Sequence, residues 1–225
     1  MSQVRVIEIK RSVFDSNTNL GNEIRLENKR KKTLFVNLMA SPGAGKTTLL
    51  TSLVNSLKKD YKIAIMEADC SSTVDALKIH EATGVTSIEI NNDGQCHMDS
   101  SMTKKGLDLL SNEHFDLIIL ENIGNLVCPA EFDTGASKNI MILSVPEGDD
   151  KPLKYPLMFT VTDLVIISKM DTLEYFDEFD LDRCTRNVHL RNPKSEIIPV
   201  SAKTGMGMDK LISYFKNEIE NWRKD

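Results

Sequence analysis

The sequence predicts an α/β fold built on a mostly parallel, doubly wound sheet. Three observations predict it. Short apolar runs rich in Ile and Val recur at 34–39, 63–67, 85–90, 117–121, 139–145, 164–168 and 196–200, and continuous apolarity over so few residues marks strands buried on both faces. Helical patterns lie between the runs, and strand alternating with helix winds a parallel sheet. The residues able to carry chemistry follow the carboxyl ends of these runs, the edge at which such sheets bind ligands.

Residues 1–32 precede the first buried run. They open with the alternation Val4, Val6, Ile7, Ile9 and continue as a polar, helical lead-in, an appendage with Leu20, Ile24 and Leu26 as its few apolar positions. The basic run Lys29-Arg30-Lys31-Lys32 reads as a solvated helix end. The unit that follows, 33–225, is long enough for one α/β domain and short for two. Leu49, Leu50, Leu53, Val54 and Leu57 share one helical face after the first run. Met208, Leu211, Ile212, Phe215, Ile219 and Trp222 form another near the end.

A hydrophobic content of 40% and a charged content of 27% over 225 residues describe an ordinary globular chain without repeats. The formal net charge of -5 offers no electrostatic reason to bind nucleic acid. No stretch reaches the ~20 apolar residues that span a bilayer. The start Met1-Ser2-Gln3-Val4-Arg5 lacks the apolar core of a signal peptide, so no membrane association and a cytoplasmic location are expected. In that reducing compartment the cysteines Cys70, Cys96, Cys128 and Cys184 read as free thiols or metal ligands rather than a disulfide framework.

The run 34–39 leads into Ala40-Ser41-Pro42-Gly43-Ala44-Gly45-Lys46-Thr47-Thr48 and then a helical pattern. This is a Walker A loop in its strand–loop–helix context, with Ala40 where the pattern has its first glycine. Gly43 and Gly45 let backbone N–H groups turn toward phosphate oxygens, and the helix adds its positive end. Lys46 is expected on the β- and γ-phosphates and the Thr47 hydroxyl on Mg²⁺. Glu121 closes the run 117–121 in the place of the Walker B acid, and Gly124 follows it as Glu-x-x-Gly, where a γ-phosphate draws the amide and resets the loop behind it. Asp69 is a second acid for Mg²⁺ and Asp75 a weaker one.

Ser168-Lys169-Met170-Asp171 is similar to the Asn-Lys-x-Asp base signature of GTPases, with Ser168 in place of Asn. Ser201-Ala202-Lys203 resembles the loop that completes the base pocket. Both motifs at consecutive strand ends, in the right order, favour GTP/GDP over adenine nucleotides.

Cys96 and His97 precede a helical pattern beginning near Met98, whose N-terminus favours thiolate. Cys128 comes from the loop behind Glu121. Two thiolates and an imidazole suit Zn²⁺ or Ni²⁺ and leave room for a further ligand from water or a second subunit. By themselves the spacings fit small buried cysteines equally well. Cys70 and Cys184 lack such neighbours and read as structural, and His80, His114 and His189 as scattered and solvated.

Together these residues resemble a known family, the nickel-incorporation GTPases of nickel-iron hydrogenase maturation, the HypB family. The matching stretches are Ser41 through Leu50, Gly94-Gln95-Cys96-His97, Glu121 through Ala130, Glu147-Gly148-Asp149-Asp150-Lys151-Pro152, Ser-Lys-Met-Asp and Ser-Ala-Lys, which cover nearly the whole chain. The resemblance implies a P-loop NTPase fold of the SIMIBI-type G domain and a GTPase that homodimerises with GTP. It implies nickel or zinc at Cys96, His97 and Cys128, and delivery of nickel to a hydrogenase large-subunit precursor alongside a HypA-type accessory protein. The chain lacks the N-terminal Cys-x-x-Cys-Gly-Cys site and the histidine-rich tail of some members, so storage of many nickel ions is not expected. Urease accessory GTPases, which have Cys-Pro-His where this chain has Cys128-Pro129-Ala130, are the lesser match.

Two readings of other kinds compete. In one, Cys96 and Cys128 form a reversible disulfide in a GTP-binding switch, which leaves His97 without a task. In the other, an ATP-dependent kinase carries incidental cysteines. No residue is recognisable as the one that positions the attacking water, so slow turnover is expected.

Overall fold

The computed structural model describes residues 9–69, 74–92 and 94–224. The stretch Val4 to Ile7 and Cys70 lie outside the described residues, as do the side chains of Asp69 and Asp75. Helix α1 (Ile9–Arg30) comes first, then β1 (Leu34–Ala40), α2 (Lys46–Leu57), β2 (Ile63–Asp69), α3 (Val74–Thr83), β3 (Thr86–Asn91) and α4 (Ser100–Leu109). The chain continues through β4 (Leu117–Glu121), α5 (Cys128–Glu131), β5 (Lys138–Ser144), α6 (Lys151–Lys154) and α7 (Pro156–Thr160). It closes with β6 (Leu164–Ser168), α8 (Leu181–His189), β7 (Glu196–Pro199) and α9 (Met208–Lys224).

Seven strands form one sheet in the order β3-β2-β4-β1-β5-β6-β7, and every neighbouring pair runs parallel. Each apolar run of the sequence is a strand, displaced by at most a residue or two at its ends. Val145, for example, leaves β5 for a 3₁₀ turn, Val145–Glu147, that contains Pro146. The central strands are apolar on both faces because both faces are covered. On one side α2, α3 and α9 pack Leu50, Leu53, Val54, Ile79, Leu211 and Phe215 against Val36, Ile119 and Ile142. On the other, α7 and α8 bring Phe159, Cys184 and Val188 onto Met141 and Val165.

The rest of that second face is closed by the lead-in segment. Helix α1 lies along α4 and β1, and its Ile24, 1% exposed, joins Phe35, Met66 and Leu120 in the core. It therefore supplies core packing rather than hanging off the domain. The basic run does end the helix, with Lys29 Nζ 4.2 Å over the Trp222 ring. Burial of the Cys184 thiol pushes its pKa up to about 12, the behaviour of an inert core residue. His80, His114 and His189 are all exposed. Among the described residues no helix is long and apolar enough to cross a membrane.

A row of carboxamides crosses the middle of the sheet. Asn122 donates to Asn37 Oδ1 at 2.9 Å, Asn37 to Asn139 Oδ1 at 3.0 Å, and Asn139 to the Val161 carbonyl at 3.2 Å. Asn37 and Asn122 are buried, and pairing with each other answers the cost of removing them from water.

Candidate functional site

The loop between β1 and α2 owes its shape to two glycines. Gly43 and Gly45 have φ of 77° and 90°, and Gly45 is the N-cap of α2, so amides turn inward where a side chain would oppose the turn. Ala40 is the last, fully buried residue of β1 and takes no positive φ, so the pattern's first glycine is dispensable there. A cleft of about 600 Å³ opens above this loop, lined by residues 41–48 with Glu67, Glu121, Gly124 and Lys169. Lys46 Nζ donates to the Asn122 carbonyl at 3.1 Å and lies 4.0 Å from Glu121 Oε1.

Glu121 ends β4 and pairs in register with Glu67 of β2. Both are buried, 4% and 5% exposed, and both face the cleft. Two carboxylates side by side with little water require positive charge nearby. Lys46 supplies one charge, and a hard divalent cation such as Mg²⁺, with the Thr47 hydroxyl, fits the oxygen donors present. Sequence reasoning missed Glu67 by treating it as the end of a buried strand, although the logic that singled out Glu121 applies to it equally. Asp69 ends β2 two residues further on.

The loop behind Glu121 abuts the phosphate loop. A Cβ on Gly124 would sit 3.2 Å from Pro42 Cγ and 3.3 Å from Pro42 N, so a side chain there requires Pro42 to give way by a few tenths of an ångström. A second contact to the phosphate loop comes from the segment 147–152 that follows β5. The Ser41 hydroxyl donates to Glu147 Oε1, while Glu147 Oε2 accepts from the Ser144 amide and hydroxyl at 2.8 and 2.7 Å.

On the other side, the two base-site motifs meet. Ser168 Oγ donates to the Ala44 carbonyl at 2.7 Å, and Lys169, held at φ 59°, donates from Nζ to the Gly43 carbonyl at 2.7 Å. Asp171 accepts from Ser201 Oγ at 2.7 Å, and Lys203 Nζ lies 3.9 Å from its other oxygen. The Ser201 hydrogen bond holds the Asp171 carboxyl below the usual carboxylate range, so it stays ionised as an acceptor. Ala202 packs beside it against the core.

The thiol residues converge from distant parts of the chain. Cys96 Sγ is 2.8 Å from Cys128 Sγ and 3.9 Å from His97 Nδ1. Asn125 Nδ2 donates to the Cys96 carbonyl at 3.3 Å, and Asn92 Nδ2 to the His97 carbonyl at 3.1 Å. The helical pattern expected from Met98 starts at Ser100, because Asp99 caps α4 by accepting from the Met102 amide. Around a tetrahedral zinc-like ion, two sulfurs lie about 3.7 Å apart and a sulfur and an imidazole nitrogen about 3.5 Å. Among the described residues no three His, Cys, Asp or Glu side chains already stand in a metal-holding arrangement. The thiols have to part by about 1 Å to admit an ion of that kind. The His97 ring stacks on Phe132, with centroids 3.7 Å apart and planes at 13°. Burial lowers the His97 pKa, against the opposing pull of Asp99 and Glu131, and favours the neutral ring a metal needs.

Seven parallel strands, a phosphate loop between β1 and α2, and a carboxylate-bearing base loop after β6 define a P-loop GTPase. Residues 34–199 match the family model of the CobW/HypB/UreG nucleotide-binding domain, and the chain belongs to that family. It is 40% identical over 218 residues to the hydrogenase maturation factor HypB of Escherichia coli strain K12, covering 97% of this chain and 74% of that protein. The crystal structure of HypB from Helicobacter pylori in complex with nickel superposes with a TM-score of 0.85 at 36% identity, covering 92% of this chain and 97% of that one. HypB from Archaeoglobus fulgidus gives 0.83 at 31% identity, covering 91% and 99%.

Proposed function

We propose that this chain is a nickel metallochaperone of nickel-iron hydrogenase maturation, in which GTP-dependent homodimerisation is coupled to binding and release of Ni²⁺ or Zn²⁺ at Cys96, His97 and Cys128. One observation carries the reading. The loop that starts at Glu121 and touches the phosphate loop at Gly124 ends at Cys128, whose sulfur meets Cys96. The nickel complex of the Helicobacter pylori relative supports nickel as cargo. The nucleotide and metal residues lie in the GTPase domain 33–225, and α1 of the lead-in 1–32 packs into its core.

In this reading the amides around Gly43, Ala44 and Gly45 hold the phosphates, and Lys46 exchanges the Asn122 carbonyl for the β- and γ-phosphates. Thr47, Glu121, Glu67 and Asp69 are the residues that would hold Mg²⁺, which would supply positive charge against that developing on the phosphoryl group. Water attacks in line, and Gly124 follows the γ-phosphate as it leaves. Asp171 and Lys169 read guanine, with Ser201, Ala202 and Lys203 closing the pocket. Tyr175 and Phe176, 75% and 37% exposed, stand with Leu153 in a cleft otherwise lined mostly by charged side chains and offer aromatic anchors for a second copy. A HypA-type accessory protein and the hydrogenase large-subunit precursor are the partners, and the setting is cytoplasmic.

The test is nickel and zinc affinity of the purified protein with GDP and with a non-hydrolysable GTP analogue, alongside Cys128→Ala. The reading requires affinity to change with nucleotide and to fall in the variant; equal affinity in all cases overturns it. The 2.8 Å approach of Cys96 and Cys128 favours one second reading, a redox-regulated GTP switch. That reading requires a disulfide under mild oxidant and indifference to His97→Ala.

A further inference from the structure

A third element, α1, touches both of the segments that carry Cys96-His97 and Cys128. Phe132, four residues beyond Cys128, stacks flat on His97 and is itself backed by Phe14 of α1, centroids 5.2 Å apart. One turn along α1, Asn17 takes the Ser100 amide on Oδ1 at 2.8 Å and donates from Nδ2 to the Asp133 carbonyl at 2.9 Å. A single carboxamide thus ties the start of α4, just after His97, to the residue after Phe132. Ser100 Oγ reaches the same Asp133 carbonyl at 2.6 Å. Arg25 then grips the Asp133 carboxylate with both terminal nitrogens, at 2.8 and 2.6 Å. The helix comes so close because residue 21 is glycine, where a Cβ would lie 2.6 Å from Asp133 Oδ2 and 3.0 Å from Ser100 Oγ.

We infer that α1 is a clamp that sets the spacing of the two ligand segments, with Phe132 and Asn17 as positioning residues for His97 and Cys128. The inference rests on the proposed metal reading of those residues. A flat stack fixes the plane of the imidazole, and a bridging amide fixes the distance between the two chains that carry the ligands. Both reduce the ordering that metal capture would otherwise require. Outer-shell partners of this kind typically change metal affinity about 10-fold to 100-fold when removed. An aromatic ring and an amide serve here where a carboxylate often does.

The experiment measures Ni²⁺ affinity of the full chain by competition with a chelating dye, with the sulfur-to-nickel charge-transfer band and GDP affinity recorded in parallel. Phe132→Leu and Asn17→Ala are each expected to weaken nickel binding about 10-fold and to shift the band, with GDP affinity unchanged. Phe132→Tyr keeps the ring and is expected to bind within about 2-fold of the parent. The clamp is overturned if Phe132→Leu and Asn17→Ala bind nickel like the parent while Cys128→Ala does not. It is overturned equally if GDP affinity falls in step with nickel affinity, or if Phe132→Tyr is as weak as Phe132→Leu. Unchanged nickel binding in Cys128→Ala removes the metal reading itself, and the clamp with it.

Discussion

The Ser168 hydroxyl donates a 2.7 Å hydrogen bond to the carbonyl of Ala44, joining the end of β6 to the middle of the phosphate loop. The position where GTPases of the Asn-Lys-x-Asp type carry a carboxamide is served in this chain by a shorter side chain that still reaches the loop. The phosphate loop and the proposed base site are therefore one hydrogen-bonded unit, with Lys169 making a parallel bond to Gly43.

Ser168→Ala leaves the buried Ala44 carbonyl without its hydroxyl donor. The expected result is about a 10-fold loss of affinity for GDP and for GTP analogues alike, measured by calorimetry. Asp171→Asn, by contrast, should lower the preference for guanine over other bases. Equal loss for all bases in Asp171→Asn would contradict a base-reading role for that carboxylate.

Glu67 and Glu121 stand side by side at the cleft. Replacing Glu67 by Gln should raise the Mg²⁺ concentration needed for half-maximal GTP hydrolysis about 10-fold while GDP still binds without Mg²⁺. Hydrolysis titrated with Mg²⁺ reads this directly. An unshifted Mg²⁺ curve would return Glu67 to a purely structural role.

Gly124→Ala puts a methyl group against the Pro42 backbone, at 3.3 Å from its nitrogen. The push falls on Pro42, ahead of the Gly43–Gly45 turn whose amides face the cleft, so GDP affinity should change by less than about 3-fold. The nucleotide dependence of nickel affinity should vanish. Persistence of that dependence in the variant would show that the message travels by another route.

Asp149 accepts from the Asp180 amide at 2.7 Å and from Arg183 Nε at 2.9 Å, stapling the segment after β5 to α8. Burial raises its pKa, but Arg183 and the Asp180 amide outweigh that and hold the carboxyl below the usual range. A depressed folded-state pKa contributes stability that is present above the ordinary carboxylate value near 3.9 and is lost as pH falls through the lower folded value. Asp149→Asn should therefore cost about 2 kcal/mol at pH 7 and flatten the acid limb of the stability curve between about pH 4 and the folded pKa. Urea melts at a series of pH values test both.

The strands were legible because a parallel sheet covered on both faces leaves uninterrupted apolar runs, and the P-loop because glycine and charge must follow a strand end in one order. Less could be read wherever a residue acts on a partner far along the chain. Phe132 and His97 are 35 positions apart, as their stacking contact reveals. Glu67 looked like strand because its neighbours are strand. The polar composition of 9–30 hid that Ile24 enters the core, since the buried stripe of Gly21, Ile24 and Asn28 carries only one large apolar side chain. The start of α4 was read two residues early because Met98 and Asp99 continue the helical pattern although Asp99 is the cap.

The row of carboxamides running from Asn122 through Asn37 to Asn139 also guards the assembly of the sheet. Strand β1 is apolar and buried at nearly every position from Leu34 to Ala40, so its hydrophobic pattern barely distinguishes correct pairing from pairing slipped by one residue. Asn37 breaks that degeneracy. A slip in either direction sets Val36 or Leu38 opposite Asn139 and strands buried amides, at a cost of about 1–3 kcal/mol each. The single polar residue inside the central strand thus acts as an index mark, rejecting misaligned sheets before either nucleotide or metal is present.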